Sequence, residues 1–126
     1  MLMLRQNPQD AYRKVQVDAR ILGSGNKDLV AICFEQVVNE VARAIRAHEA
    51  GDATNRSEGL TRANAAITAL EMGLDRTNPL AGALEHLYGA ARETILKCVV
   101  HFNTEALREM RQDFAEIGAA LTASPS

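Results

Sequence analysis

Apolar residues recur at alternating three- and four-residue steps through four long stretches of this chain, and no stretch alternates with period two. The strictest case is Leu107, Met110, Phe114, Ile117 and Leu121. That rhythm gathers every large side chain onto one side of an α-helix, whereas a strand needs one at every second position. The chain therefore reads as all-α. Long helices with short connections favour antiparallel neighbours, so the pattern predicts an up-down-up-down four-helix bundle with a short additional N-terminal helix.

Punctuation divides the chain. Asn7 followed by Pro8 is a helix start: Asn caps, Pro pre-sets φ, and Asp10 suits the dipole. This first segment runs to about Leu22, and Gly23 to Asn26 read as a turn. The second segment runs from about Asn26 to Ala50 and ends at Gly51-Asp52, with a stripe of Val30, Phe34, Val37, Val41 and Ile45 and Val38 alongside. Ala53 to Ser57 then read as a polar loop. The third stripe is Leu60, Ala63, Ile67, Leu70 and Leu74. Asn78-Pro79 opens the fourth segment, whose stripe is Leu80, Leu84, Leu87, Ala91, Ile95 and Cys98, with Tyr88 beside it. Asn103-Thr104 offers a cap for the fifth, and Thr122 to Ser126 should fray. One domain, 1–126, is the reading, with 1–25 packed on the outside of the bundle.

At 126 residues the chain suffices for one core without staples, since folding at this size removes roughly two thirds of the unfolded surface. Net charge is −2 with both signs interspersed, which argues against a nucleic-acid partner. MLMLRQ at the N-terminus is too short for a signal-peptide core or a membrane span, so no membrane insertion is expected. Cys33 and Cys98 sit in apolar surroundings and read as small buried hydrophobes. Cys98 and His101 form one C-x-x-H, but no second ligand pair accompanies it, and structural zinc needs four ligands.

Catalytic constellations are missing from the pattern. The stripes carry no Glu, Asp or His, and the chain holds no Glu-x-x-His, no Cys-x-x-Cys-His, no Gly-x-Ser-x-Gly and no P-loop. An enzyme, a cofactor and a metal are therefore not expected.

What the stripes leave over is apolar or flat. Around the third stripe, Ala65, Ala69 and Met72 fall on the opposite side, and Gly59, Ala66 and Gly73 make a very small row at seven-residue spacing. Leu29 and Ile32 point away from the second stripe, and Leu96 and Val100 away from the fourth. Glycine inside a helix costs roughly 1 kcal/mol relative to alanine, and small side chains admit a close neighbour. A groove floored by small residues and edged by Met72 suits an amphipathic partner helix, although the same row can serve packing within the bundle. On the docking reading, Ala66→Arg weakens partner binding and leaves thermal stability nearly intact.

The order of short motifs resembles the FliS family, flagellar export chaperones of flagellin. Asn7-Pro8 with Ala11-Tyr12 resembles the family's N-terminal segment, and Asp28 to Val38 its acidic-Leu stretch, with Cys33-Phe34 where the family has Leu-Tyr. Arg62, Ala63, Ile67 and Leu70 match the next segment, Leu74-Asp75 its close, and Leu87-Tyr88 the Leu-Tyr-x-Tyr segment. The resemblance spans Asn7 to Leu121. Departures include Gly25-Asn26 for the usual Ser/Thr-Pro, Ala90 for the second Tyr, Cys98-Val99 for an Ala-Asn pair, and Leu121 for a common Trp. The resemblance implies a cytoplasmic bundle that binds the C-terminal region of flagellin, holds it unpolymerised and delivers it to the type III export gate. It also implies that Tyr12 and its segment cover part of the binding groove when flagellin is absent. A helical adaptor or regulator of another secretion or signalling system is the alternative. Oligomeric state is not legible.

Overall fold

The computed structural model describes residues 26–122, and four helices fill nearly all of that span: α1 (Asn26–Glu49), α2 (Ala53–Met72), α3 (Ala81–Val100) and α4 (Thr104–Thr122). The expected N-terminal helix, Tyr12 within it, and the last residues of the tail lie outside the described residues.

Each connection is built from local hydrogen bonds. α1 stops because Gly51 takes φ +71°, a left-handed conformation that costs glycine little. The Gly51 amide donates to the His48 carbonyl (3.1 Å) and the Asp52 amide to Ala47 (2.8 Å), the paired bonds of a Schellman ending. Asp52 then caps α2, its carboxylate accepting from the Asn55 amide at 3.0 Å and from Asn55 Nδ2 at 2.6 Å. These bonds hold the Asp52 carboxyl below its ordinary range. The expected polar loop at Ala53 to Ser57 is thus the opening of α2. An effective cap one residue upstream outweighs the weak helix preference of Thr, Asn and Ser.

The α2–α3 link is a turn in which Asp75 Oδ1 accepts from the amide and hydroxyl of Thr77 (3.0 and 2.6 Å). Asn78 Oδ1 accepts from the Leu80 amide at 2.7 Å, and α3 begins at Ala81. Leu80, read as the first residue of the fourth stripe, is the residue before the helix and is 49% exposed. Asn103 caps α4 as its sequence indicates, accepting from the Ala106 amide at 3.0 Å.

α1 packs against α2 and α4, α2 against α3, and α3 against α4, so the helices close a square with α1 and α3 on one diagonal. Register runs antiparallel. On α1 and α4, Phe34 meets Phe114 and Gly118 while Glu49 meets Arg108, so one helix advances as the other retreats. On α2 and α3, Thr68 pairs with Arg92, and Arg76, beyond the end of α2, pairs with Glu85 of α3.

The stripes supply the core: Phe34, Val37, Val41 and Ile45 of α1, Leu60, Ala63, Ile67 and Leu70 of α2, Ala91, Ile95 and Cys98 of α3, and Leu107, Met110 and Phe114 of α4. No polar or charged residue is buried among the described residues. Phe34, Tyr88 and Phe114 form an aromatic cluster joining α1, α3 and α4, with centroids 5.1 to 6.4 Å apart. Both cysteines are free and buried, and burial pushes the Cys33 thiol up to about 11 and the Tyr88 phenol up to about 12. Cys33 is therefore neutral and unreactive, a packing residue.

Candidate partner-binding surface

The small row of α2 is used inside the molecule. A methyl group built on Gly59 would lie 2.8 Å from the Glu40 carbonyl oxygen and 3.0 Å from the Ala44 amide nitrogen, so α1 backbone occupies that space. Ala66 and Ala69 belong to the buried core, Ala69 at 1% exposure. Gly73 ends α2, its amide donating to the Ala69 carbonyl at 3.1 Å. The open groove read along Gly59 and Ala66, with Ala69 on an outer side, is replaced by close packing of α2 in the bundle, and Gly73 is half-buried at the helix end. One stripe underestimates the arc that a helix with two packed neighbours buries.

A charged seal closes the Gly59 end of this seam. Arg43 of α1 donates to Glu58 and, at 2.6 Å, to Asn55 Oδ1, both on α2, and reaches Glu40 at 3.3 Å. Its guanidinium holds the Glu58 carboxyl below the usual range.

Leu29 also departs from its reading. It is buried, 5% exposed, because it stands four and eight residues before the buried Cys33 and Val37 and shares their side of α1. Ile32 and Ala65 are half-buried. Met72, Leu96 and Val100 remain open to solvent, at 48%, 55% and 85%. Val99, beside them at the end of α3, is 66% exposed. The apolar run Cys98-Val99-Val100 was the available signal for Val99, since one helical face cannot bury three successive residues.

Leu96 and Val100 border the loosest seam. α3 and α4 touch least of the neighbouring pairs. Between them lies a cleft of about 940 Å³, whose lining includes Thr94, Leu96, Cys98, Val100, Phe102 and Ala106. A second of about 170 Å³ continues it, sharing Thr94 and Ala106 and reaching Leu87 and Ala90. Phe102 fixes the far end: its ring stacks on His48 at 4.1 Å, and the Arg56 guanidinium lies over it at 5.9 Å. Thr94, Phe102 and Ala106 gave no sequence signal, because a Thr or Ala beside a stripe looks like ordinary helix surface.

The described residues on this side present a cleft rimmed by exposed Leu96 and Val100, with Glu93, Lys97 and His101 also on its lining. Residues 8–122 match the family described as Flagellar protein FliS. This chain belongs to the FliS family. FliS proteins are non-enzymatic chaperones, and membership implies a role in flagellin export. Comparison with curated proteins gives no match. No helix among the described residues of this FliS protein is long and apolar enough to cross a membrane.

Proposed function

We propose that this FliS protein works in the cytoplasm, binds the C-terminal region of flagellin, keeps it from polymerising and hands it to a component of the type III export gate. The observation that carries the reading is the α3–α4 furrow, apolar and rimmed by exposed Leu96 and Val100, in a chain of this family. Flagellin's terminal helices pair with those of other subunits in a filament, so covering their apolar faces blocks assembly. A disordered segment that folds on binding loses entropy, and a long, shallow contact offsets that loss while leaving the complex releasable. In this reading Leu96, Val100 and Met72 are outer contacts, Ile32 and Ala65 secondary ones, and Tyr12 belongs to a displaceable N-terminal cover.

Titration calorimetry of the full chain with a synthetic C-terminal flagellin segment tests the proposal. Saturable binding with a gain of helical circular dichroism is the expected result. Ala106→Arg, which projects a charged stem into the furrow, should weaken binding at least about tenfold with little change in melting temperature. No heat and no helix gain with the unaltered chain would remove the flagellin reading. Full affinity in the Ala106→Arg chain would move the site elsewhere. Deleting residues 1–22 should leave a folded bundle of equal or higher affinity if that segment is a cover.

A further inference from the structure

The two ends of the α3–α4 furrow differ in charge. At the Phe102 end the lining holds both signs, Glu93 and Lys97 with Nζ and Oε2 3.9 Å apart, and His101 beside them. At the Leu87 end the charged side chains are both acids, and both stand on the α4 wall: Glu109 and Asp113. The facing α3 wall there, Leu87, Ala90, Ala91 and Thr94, carries no charge. Glu109 and Asp113 are exposed, and neither side chain has an ion-pair or hydrogen-bond partner among the described residues. They stand four residues apart, so they share one side of α4 and repel each other. Each acid of α2 and α3, by contrast, is matched by a cation, as Glu71 is by Arg92 and Glu85 by Arg76.

We propose that Glu109 and Asp113 select the helix that fills the furrow: the flagellin segment seated there carries Lys or Arg, one helical turn apart, on the flank that meets α4. The furrow makes the site, and the two carboxylates sort what enters it. A helix lying in a groove sets its apolar face on the floor and one flank on each wall. The α3 wall takes an apolar or neutral flank. The α4 wall takes a cationic one, because a cation relieves the repulsion between the two carboxylates. An acidic flank on that wall adds a further like charge and is rejected. Turning the helix end for end swaps its flanks between the walls, so a segment basic on one flank enters in one direction. Both acids are solvated, so they govern choice and direction more than total affinity, and salt weakens their effect. The identity of the helix rests on the flagellin reading; its charge rests on the walls of the furrow.

Titration calorimetry of the full chain at about 50 mM and about 500 mM salt tests the selection with three probes. One is the synthetic C-terminal flagellin segment. The others are two designed amphipathic helices that share an apolar stripe and differ in bearing either Lys or Glu at two flank positions four apart. At low salt the Lys-flanked helix should bind at least about tenfold tighter than the Glu-flanked one, and the gap should narrow at high salt. The double variant Glu109→Lys, Asp113→Lys alters two exposed side chains, so it should fold as the unaltered chain does. It should reverse the order of the two designed helices and weaken the flagellin segment at least about tenfold. Glu35→Lys, an exposed charge reversal on α1 that lines no part of the furrow, should leave the order unchanged. A flagellin segment that binds with the same affinity before and after the double reversal overturns the selection and spares the flagellin reading. Failure of that segment to bind, with the Lys-flanked helix still preferred, removes the flagellin reading and leaves the selection standing. Equal affinity for the two designed helices overturns the selection, and binding of none of the three probes removes both.

Discussion

The α1–α2 seam and the α3–α4 seam of this bundle are built from similar small residues and behave oppositely. In the first, Gly59 lets α2 settle onto the α1 backbone, and Arg43 ties the helices together through Glu58 and Asn55. In the second, Ala90, Thr94 and Ala106 line a furrow that runs into a larger cleft. Small side chains therefore carry no fixed meaning. Opposite a backbone that approaches, they let two helices come into close contact. Opposite a helix held away, they make a vacancy. The difference lies in what the rest of each helix does: α1 is gripped on both sides, by α2 and α4, whereas the turn that joins α3 to α4 is anchored through Phe102 to His48 of α1 and Arg56 of α2.

The sharpest way to break this contrast is Ala66→Arg. Read as groove floor, the change is nearly neutral for stability; placed in the core, it crowds packed neighbours and buries a charge. The structure predicts a loss of at least about 3 kcal/mol in urea unfolding. An unchanged midpoint would make the α2 row a surface after all. Gly59→Ala comes next. Its methyl group meets backbone rather than a side chain that can swing aside, so it should cost about 1–3 kcal/mol in spite of alanine's better helix propensity.

A smaller effect concerns the cap that starts α2. Asp52→Ala should lower the melting temperature by a few degrees and flatten the acid limb of the stability curve. The sign follows from the lowered folded-state values of Asp52, bonded to Asn55, and Glu58, bonded to Arg43. Their contribution is complete above the unfolded carboxylate values near 4, and it is lost as pH falls through the lower folded values. An acid limb identical in the Asp52→Ala chain would show that this cap does not couple to folding. The smallest expected change has the opposite sign. Gly89→Ala should stabilise by about 0.5–1 kcal/mol, because nothing opposes the added methyl group. A loss there would mean that α3 has a close neighbour on its outer side within the monomer.

Much of the architecture was legible because periodicity reports directly on which side of a helix meets the core. Phe34, Val37, Val41, Ile67, Ile95, Leu107 and Phe114 all sit where their spacing puts them. Boundaries were less legible. Asp52 moved the start of α2 back to Ala53, since a side-chain cap is decided by one hydrogen bond and not by the average character of the next five residues. The surplus surface was legible at Leu96, Val100 and Met72, and misleading at Leu29, Gly59, Ala66 and Ala69. For large apolar residues, angle from the stripe is a fair guide to exposure. For glycine and alanine it is not, because their burial depends on how near a neighbour comes, and that distance is set by residues elsewhere.

Gly59 seats α2 on Glu40 and Ala44, and a side chain at Gly118 would press on Phe34, so α2 and α4 are each notched where α1 meets them. The longitudinal alignment of three helices is thereby keyed by absent atoms rather than by ions. Raising ionic strength can strip away the rim pairs of Arg43, Arg92 and Arg108, yet it has no purchase on a notch. The scaffold that presents the furrow should keep its alignment in brine as in dilute buffer.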